Sequence, residues 1–511
     1  MVGRNMANHY FFSALMRYGT FDEYHFFLSN RAHRNLFREK HAKYLEMPEV
    51  AKKVRLFDRL DLPEHMRKYD YTVMHLADHV THMASLARLR NELQVRVPIS
   101  AFIHSLSYPA HMGKYLELLF SGLSAGDTIV CSSECGKKVV ESCLKNVSMQ
   151  NGPVSRVNLS VIPLGIDEPP GCMDRALARR QLGYRNDEVV GLCFGRFSDF
   201  DKMDLFPLLQ AFRTIQGDRN RMVLAGAVHD AEYYQILQLW VRALGLAKRV
   251  EFVVEPNNEK KLALFSAADF FVSIADNPQE TFGLTVLEAM HAGIPVVVSD
   301  YDGYRELAGD EAGIRVPTLW TQMDGIGAVE SVMDMRTLHR YMAQATSIDM
   351  PALKDALRQM YTDAQLRAAL GQQARERFLR LFSHRDIIAR LEKLWLSGKL
   401  QFSLNDAPLP PMKMDLFHTF SHYVTGLLSA EDVVSATDFS RELLRANVDY
   451  PLLPNMSDLV DQARAKTIVT HCLEQKDIAS LLQEFGDSWR TRFLLMWMLK
   501  HDLIEIISTV R

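Results

Sequence analysis

The chain has 511 residues, of which 48% are hydrophobic and 24% are charged, and this composition excludes a disordered chain or an integral membrane protein. A net charge of −3 excludes a global field that would gather nucleic acid or anionic lipid. Six cysteines are too few for a disulfide framework, so a cytoplasmic compartment is predicted. The length predicts two or three domains.

The first predicted domain covers residues 1–168. Short apolar runs alternate there with longer amphipathic stretches, in the order EYHFFLS, YTVMHLA, ISAFIHS, DTIVCSS and SRVNLSVIPL. This alternation is typical of a βα-repeating domain with a parallel sheet.

The second predicted domain covers residues 169–397 and follows the proline-bearing segment GIDEPPG. Its runs EVVGLCFGRFS, NRMVLAGAV, RVEFVVE, ADFFVSIA and IPVVVSD suit strands buried on both faces. The stretch LWTQMDGIGAVESVMDMRTLHRYMAQATSIDM is interpreted as an insertion. Residues 398–511 are predicted to form a linker and a helical accessory domain, which reads as nearly all helix. The fold class is therefore α/β, with two doubly wound domains and a mainly helical C-terminal domain.

Two glutamates, Glu280 and Glu288, lie where a strand ends and a helix begins. Glycine at position 283 lets the backbone approach a ligand closely, and the free N–H groups at a helix start favour an anion such as a diphosphate. Carboxylates at the strand ends suit a ligand rich in hydroxyl groups. An isolated pair of this kind would be interpreted as a helix cap and a surface charge.

The surrounding segment ETFGLTVLEAMHAGIPVVV resembles the family 4 glycosyltransferases, which are retaining enzymes of the two-Rossmann GT-B fold. Their motif places two glutamates with seven residues between them within E-x-F-G-L-x-x-x-E-A-M-A-x-G-x-P-V-V. The resemblance implies that Glu280 contacts hydroxyls of the donor sugar and that Glu288 contacts the ribose of the nucleotide. It also implies that a stretch of backbone binds the sugar and diphosphate, namely Phe282, Gly283, Leu284 and Thr285.

A second segment, LCFGRFSDFDKMD, resembles the strand and G-R-x-S-x-x-K-G loop that open the family's C-terminal domain. The resemblance puts Arg196 and Lys202 at the positions that clamp the diphosphate, where two cations would neutralise charge on the departing group. The loop is one residue longer than the common pattern, and Met203 replaces its glycine. The alternative is that both are solvated loop cations.

The segment VPISAFIHSLSYPAHM resembles the family's strand that ends in a histidine facing the donor sugar, which makes His104 a candidate catalytic residue; His111 is a second candidate. Family members open with an apolar strand and a glycine-rich loop, whereas MVGRNMANHYFFSAL resembles the loop and helix alone. Gly3 is then the surviving loop glycine, and either the sequence starts late or another segment fills the strand's place. No metal is predicted, because Cys131 and Cys135 have no partner pair at finger-like spacing.

The predicted function is that of a retaining glycosyltransferase, which moves a sugar from a nucleotide-diphosphate sugar without a cofactor or metal. His104, Arg196, Lys202 and Glu280 are the predicted catalytic residues. Protein, glycan and lipid acceptors stay open, nucleic acid is not expected, and residues 412–511 offer a surface for a protein partner as an alternative to core packing. Two other functions are a nucleotide-sugar epimerase and a non-catalytic nucleotide-sugar-binding scaffold whose helical domain recruits a partner.

Overall fold

A computed structural model describes residues 3–151, 154–166, 173–321, 330, 332–404, 419–424, 426–453 and 456–508. The strands in chain order are β1 (Tyr24–Leu28), β2 (Val54–Asp58), β3 (Met74–Leu76), β4 (Ile99–Phe102), β5 (Thr128–Cys131), β6 (Asn158–Val161), β7 (Val189–Phe194), β8 (Asn220–Gly226), β9 (Val250–Val254), β10 (Phe270–Ser273), β11 (Val296–Ser299), β12 (Gly313–Val316), β13 (Thr318–Leu319), β14 (Ser347–Ile348), β15 (Val433–Ala436), β16 (Lys476–Asp477) and β17 (Ile504–Ser508).

The α-helices in chain order are α1 (Gly3–Tyr18), α2 (Arg31–Leu45), α3 (Pro48–Ala51), α4 (Leu62–Lys68), α5 (His79–Glu92), α6 (His111–Leu119), α7 (Glu134–Asn151), α8 (Arg175–Leu182), α9 (Phe206–Arg213), α10 (Ala231–Ala243), α11 (Asn258–Ala267), α12 (Leu284–His291), α13 (Tyr304–Ala308), α14 (Met335–Ala345), α15 (Met350–Thr362), α16 (Ala364–Leu381), α17 (His384–Gln401), α18 (Asp438–Ala446), α19 (Gln462–His471), α20 (Ile478–Phe485) and α21 (Trp489–Lys500). Within the described residues, no helix is both long and apolar enough to cross a membrane.

The chain divides into two compact units: the first joins Met1–Thr20 to Met66–Pro410, and the second joins Phe21–His65 to Pro411–Arg511. The first unit contains two lobes, each built on a parallel sheet. In the N-terminal lobe, the four strands lie in the order β3-β4-β5-β6. Residues 3–18 form helix α1, and the described residues before position 20 contain no strand.

A buried ion pair fixes the N-terminal lobe at the start of strands β4 and β5. Arg90 on α5 lies 2.6 Å from the Asp127 carboxylate, and both side chains are fully buried. Asp127 also accepts backbone N–H groups of Ile99 and Ser124, each at 2.7 Å. Because every oxygen of this carboxylate is hydrogen-bonded, the charge is tolerated inside the lobe. Asp127 therefore stabilises the fold, which agrees with the prediction that DTIVCSS forms a strand of the parallel sheet.

The C-terminal lobe has six parallel strands in the order β12-β11-β10-β7-β8-β9. Strands β10 and β11 are buried throughout, as their unbroken apolar sequences predict. The strand order reverses between β7 and β10, and a crevice opens at the carboxyl ends of the strands at such a reversal. Helix α17 leaves this lobe and packs on α1, where its Glu392 accepts the backbone N–H and the hydroxyl of Thr20 at 2.7 and 2.6 Å.

The two ends of the predicted insertion are paired with each other on the C-terminal lobe. Strand β13 lies at its start and strand β14 near its end, after helix α14, and the two strands pair antiparallel through Thr318 with Ile348 and Leu319 with Ser347. The chain therefore leaves and returns at one place, so the sheet beneath is not interrupted.

In the second unit, β1 and β2 form a two-stranded parallel sheet, and β16-β15-β17 form a three-stranded antiparallel sheet with helices α18 to α21. The sequence predicted that the C-terminal segment is nearly all helix, whereas the structure adds this three-stranded sheet to its helices. Residues 21–65 lie within the predicted first domain, yet they group with the C-terminal segment. Arg34 pairs with Asp458 at 3.7 Å and Asp61 with Arg490 at 2.8 Å. Of the two tryptophans in helix α21, Trp497 is buried and Trp489 is exposed.

Candidate functional site

A cavity of about 640 Å³ lies at the strand reversal of the C-terminal lobe, between that lobe and the N-terminal lobe. Its volume falls within the range of about 300 to 1,000 Å³ that is common for small-molecule sites. It brings together nine residues singled out in the sequence, namely His104, Arg196, Lys202, Glu280, Phe282, Gly283, Leu284, Thr285 and Glu288. Gly3 begins helix α1, whose Met6, Ala7 and Tyr10 line the cavity; the surroundings of Gly3 itself lie outside the described contacts.

Lys202 and Glu280 form a close ion pair in the wall of this cavity. Lys202 Nζ lies 2.6 Å from Glu280 Oε2, and the side chains are only 10% and 17% exposed. Lys202 Nζ also donates to the hydroxyl of Tyr304 at 3.0 Å, and that hydroxyl lies 2.9 Å from Ser273 Oγ. The sequence predicted Lys202 as a phosphate clamp, whereas in the structure its first partners are a carboxylate and a phenol.

The ion pair keeps both groups charged in spite of their burial. Burial alone would lower the pKa of Lys202, but the adjacent Glu280 raises it above its usual value. Burial would likewise raise the pKa of Glu280, and Lys202 holds it below its usual value instead. The cavity wall therefore presents a fixed carboxylate, which is a strong acceptor for hydroxyl groups.

Arg196 lies beside this pair, at the end of β7, and is oriented by its own loop. Its guanidinium donates to the Asp201 carboxylate at 2.8 Å and to the Asp201 carbonyl at 3.0 Å. His229 Nδ1 lies 3.1 Å from the same carboxylate. With a quarter of its side chain exposed and a position in the cavity lining, Arg196 presents a held cation to the cavity.

The start of helix α12 opens on the same cavity. Gly283 is the N-cap residue and adopts φ 109, a conformation that only glycine adopts without strain. A Cβ atom there would lie 2.4 Å from Cε1 of Tyr304, so no larger residue fits. The first N–H groups of a helix have no partner within the helix and are suited to an anion.

Two buried side-chain oxygens of α12, Thr285 Oγ1 and Glu288 Oε2, have no hydrogen-bond partner among the described residues. The other carboxylate oxygen of Glu288 accepts from Lys261 Nζ at 2.6 Å. A buried polar atom without a partner is unfavourable unless a ligand or water meets it. Both atoms belong to residues that line the cavity, which indicates a polar ligand there.

The two histidine candidates lie in different places. His104, two residues beyond strand β4, lines the cavity with the glutamates. His111 begins helix α6 and lines a second cavity, where its ring lies 5.1 Å from that of Tyr108. The structure thus brings His104, and not His111, to Glu280 and Lys202.

Contacts across the cleft join the two lobes of the first unit beside the site. Ser133 Oγ donates to the carbonyl of Thr281 at 3.2 Å. The carboxylate of Glu306 accepts the backbone N–H groups of Glu134 and Cys135, at 2.7 and 2.9 Å, at the start of α7. Sequence reasoning missed Glu306 and Tyr304, although the segment YDGYREL after strand β11 was the available signal.

Comparison with known proteins agrees with these features. Residues 174–349 match the family "Glycosyl transferases group 1", so the chain contains a domain of that family. It is 31% identical over 187 residues to the D-inositol 3-phosphate glycosyltransferase of Mycobacteroides abscessus, covering 35% of this chain and 40% of that protein. It is 27% identical over 246 residues to an uncharacterized glycosyltransferase of Methanocaldococcus jannaschii, covering 47% and 60%. The matched regions therefore span roughly half the length of these curated relatives.

Among solved structures, the crystal structure of Anabaena HepE in complex with UDP is similar, with a TM-score of 0.53 and 17% identity. The match covers 77% of this chain and 96% of the other. At this identity the likeness concerns the fold. The predicted fold class, two Rossmann-like domains of GT-B type with a mainly helical C-terminal domain, is confirmed.

Proposed function

We propose that this group 1 glycosyltransferase domain works within a retaining enzyme, which transfers a sugar from a nucleotide-diphosphate sugar to an acceptor hydroxyl. The observation that carries the proposal is the buried Lys202–Glu280 pair beside the start of α12, since a fixed carboxylate and an anion-binding helix start border one cavity. The UDP bound to Anabaena HepE supports a nucleotide ligand for this fold.

The donor is proposed to lie along the wall formed by the C-terminal lobe. The diphosphate occupies the N–H groups at the start of α12 and the guanidinium of Arg196. Glu280, held by Lys202, accepts hydroxyl groups of the sugar, while the buried and unpartnered Oε2 of Glu288 accepts those of the ribose. The anionic diphosphate is then bound by hydrogen-bond donors, and the hydroxyl groups of the sugar and ribose are bound by carboxylate acceptors.

Retention is proposed to follow from front-face attack. A retaining reaction through a covalent intermediate needs a free carboxylate nucleophile, whereas Glu280 is occupied by Lys202 at 2.6 Å and by the N–H of Phe282. The acceptor oxygen forms its bond to the anomeric carbon on the face from which the diphosphate leaves. The hydroxyl proton passes to an oxygen of the departing phosphate, and Arg196 and the helix start stabilise the charge that develops there. His104 faces the sugar from the N-terminal lobe.

A nucleotide-sugar panel tests this function. Thermal unfolding with UDP-, GDP- and ADP-sugars should show a stabilising shift for one donor, and the same donor should be hydrolysed slowly. Arg196→Ala should lower the rate by about a hundredfold, the magnitude expected for one donor of an oxyanion site. NMR of the transfer product should show the anomeric configuration of the donor. Inversion would refute the retaining mechanism, and donor binding without hydrolysis or transfer would favour the non-catalytic scaffold.

A further inference from the structure

A second cavity, of about 690 Å³, lies in the first unit beside the site described above. One wall comes from the N-terminal lobe and includes Tyr108, Met112 and Tyr115; the other comes from the region of the insertion and includes Trp320, Leu338 and Met342. Its described lining is mostly apolar, with aromatic, leucine and methionine side chains, and it also includes Ser107, His111, Thr321 and Glu330. Such a lining suits the apolar part of a ligand.

The two cavities meet at adjacent residues of two loops. In one loop, Ser105 lines the cavity with the glutamates and Leu106 lines the second cavity. In the other loop, Gln279 lines the cavity with the glutamates and Pro278 lines the second cavity. Gln279 Nε2 donates to the hydroxyl of Tyr108 at 3.1 Å across this boundary. A molecule in the second cavity would therefore extend to the place where the donor sugar is proposed to lie.

Helix α14 of the insertion is anchored on one side and apolar on the other. Arg340 donates to both carboxylate oxygens of Asp199, at 2.7 and 3.0 Å, and to Asp230 at 2.9 Å. Its Leu338, Met342 and Ala345, spaced by four and three residues and therefore on one face of the helix, line the cavity. The ion pairs fix which face is presented, so the apolar wall is a built feature rather than a chance exposure.

The insertion also leaves large apolar side chains in contact with solvent near this cavity. Leu319 is 67% exposed and Trp320 is 57% exposed, and Trp320 itself lines the cavity. Exposed apolar groups that continue into an apolar cavity mark a surface where an apolar molecule enters. Inside, Ser107 Oγ is buried and has no hydrogen-bond partner among the described residues, which provides one polar atom for a ligand hydroxyl.

We propose that the second cavity binds the apolar body of the acceptor, so that the acceptor is an alkyl- or aryl-bearing hydroxyl compound. This inference rests on the proposed function, because the hydroxyl of such a compound would reach the donor sugar past Ser105 and Gln279. Acceptors without an apolar part leave the cavity unfilled and bind weakly.

The probe is a series of n-alkyl β-D-glucosides, from methyl to octyl, titrated by calorimetry below the concentration at which they form micelles. Affinity should rise by roughly fourfold for each added methylene, which is the gain from burying one CH₂ group. Met342→Glu should reduce the affinity for octyl glucoside by at least about tenfold, because the new carboxylate would be buried. Met342→Ala should reduce it less. Leu239→Glu, which also replaces an exposed apolar residue on a helix of this lobe, is the matched control and should bind like the wild type.

Circular dichroism and thermal unfolding of each variant establish that it is folded. An affinity that does not depend on alkyl length, or an equal loss in the folded Met342→Glu and Leu239→Glu variants, overturns the proposal. Phosphatidylcholine vesicles that contain diacylglycerol distinguish the source of the ligand: sensitivity of vesicle binding to Met342→Glu supports a lipid acceptor, and binding of the free glucosides alone supports a soluble one.

Donor binding and hydrolysis by the wild type, measured without any acceptor, separate the two proposals. Hydrolysis together with binding that ignores alkyl length refutes the acceptor class and leaves the transferase function intact. Absence of donor binding and hydrolysis refutes the transferase function, and with it the acceptor role of the cavity.

Discussion

The Lys202–Glu280 pair provides the sharpest test of the site, through a double-mutant cycle with Lys202→Met and Glu280→Gln. Removing one member of a buried ion pair leaves the other charge uncompensated, which typically costs about 3 to 5 kcal/mol. Since these side chains keep 10% and 17% of their exposure, we expect the lower end, about 3 kcal/mol for Lys202→Met. Glu280→Gln should cost less, because Tyr304 continues to accept from Lys202 Nζ.

The double variant removes both charges and should be less destabilised than the sum of the single variants by about 1 to 3 kcal/mol, as is found for residues in direct contact. The assay is urea unfolding at pH 7, followed by circular dichroism, with the slope compared among all four proteins. Donor affinity measured on the same samples should fall in each variant. If the free energies add to within about 0.5 kcal/mol, the pair does not interact and the assignment of Glu280 as a carboxylate held by Lys202 is refuted.

Three further predictions concern the surroundings of the pair. Burial, and then the charge of Glu280, raises the pKa of Asp302 to about 8, so the folded chain holds a proton that the unfolded chain releases near pH 4. Asp302 therefore lowers the free energy of unfolding as the pH rises from 4 to 8. In urea unfolding, Asp302→Asn should be more stable than the wild type at pH 8 but not at pH 3. Gly283→Ala should weaken donor binding and cost more than the about 1 to 2 kcal/mol of a left-handed non-glycine residue, because the added Cβ would lie 2.4 Å from Tyr304. Gly293→Ala, at φ 73 with its nearest atom 3.8 Å from the added Cβ, should cost only that about 1 to 2 kcal/mol; equal costs would contradict the contact with Tyr304. Glu306→Gln should speed hydrogen exchange of the backbone amides in the first turn of α7, and unchanged exchange would show that this contact does not hold the lobes together.

The sequence was most informative about the C-terminal lobe, for a physical reason. Strands β10 and β11 are buried on both faces, so their apolar runs identify them without any knowledge of their neighbours. Parallel strands also place their carboxyl ends along one edge of the sheet, so residues that follow β7 and β10 converge whatever the loop conformations. This is why Arg196 and Glu280, distant in the chain, could be placed in one crevice.

Other features depend on contacts that no local pattern contains. Tyr304 joins the ion pair only because β10 and β11 are neighbours in the sheet, which brings its loop back to Lys202. Strand β15 has four residues, and its partners β16 and β17 lie tens of residues later, so periodicity could not separate it from helix. Residues 21–65 have the expected βα alternation, but the ion pairs that assign them to the second unit are tertiary contacts.

The anchoring of helix α14 has a thermodynamic consequence. Asp199, which Arg340 holds in a bidentate pair, belongs to the same short loop as Arg196 and Lys202. Helix α14, which lines the second cavity, and the loop that lines the first cavity are therefore directly linked by this ion pair. A ligand that binds in one cavity and orders the helix and the loop lowers the entropy cost of ordering them for a ligand in the other cavity. Thermodynamic linkage then requires each ligand to change the affinity for the other by the same factor. Arg340→Ala should therefore uncouple them, so that octyl glucoside no longer alters the dissociation constant of the donor.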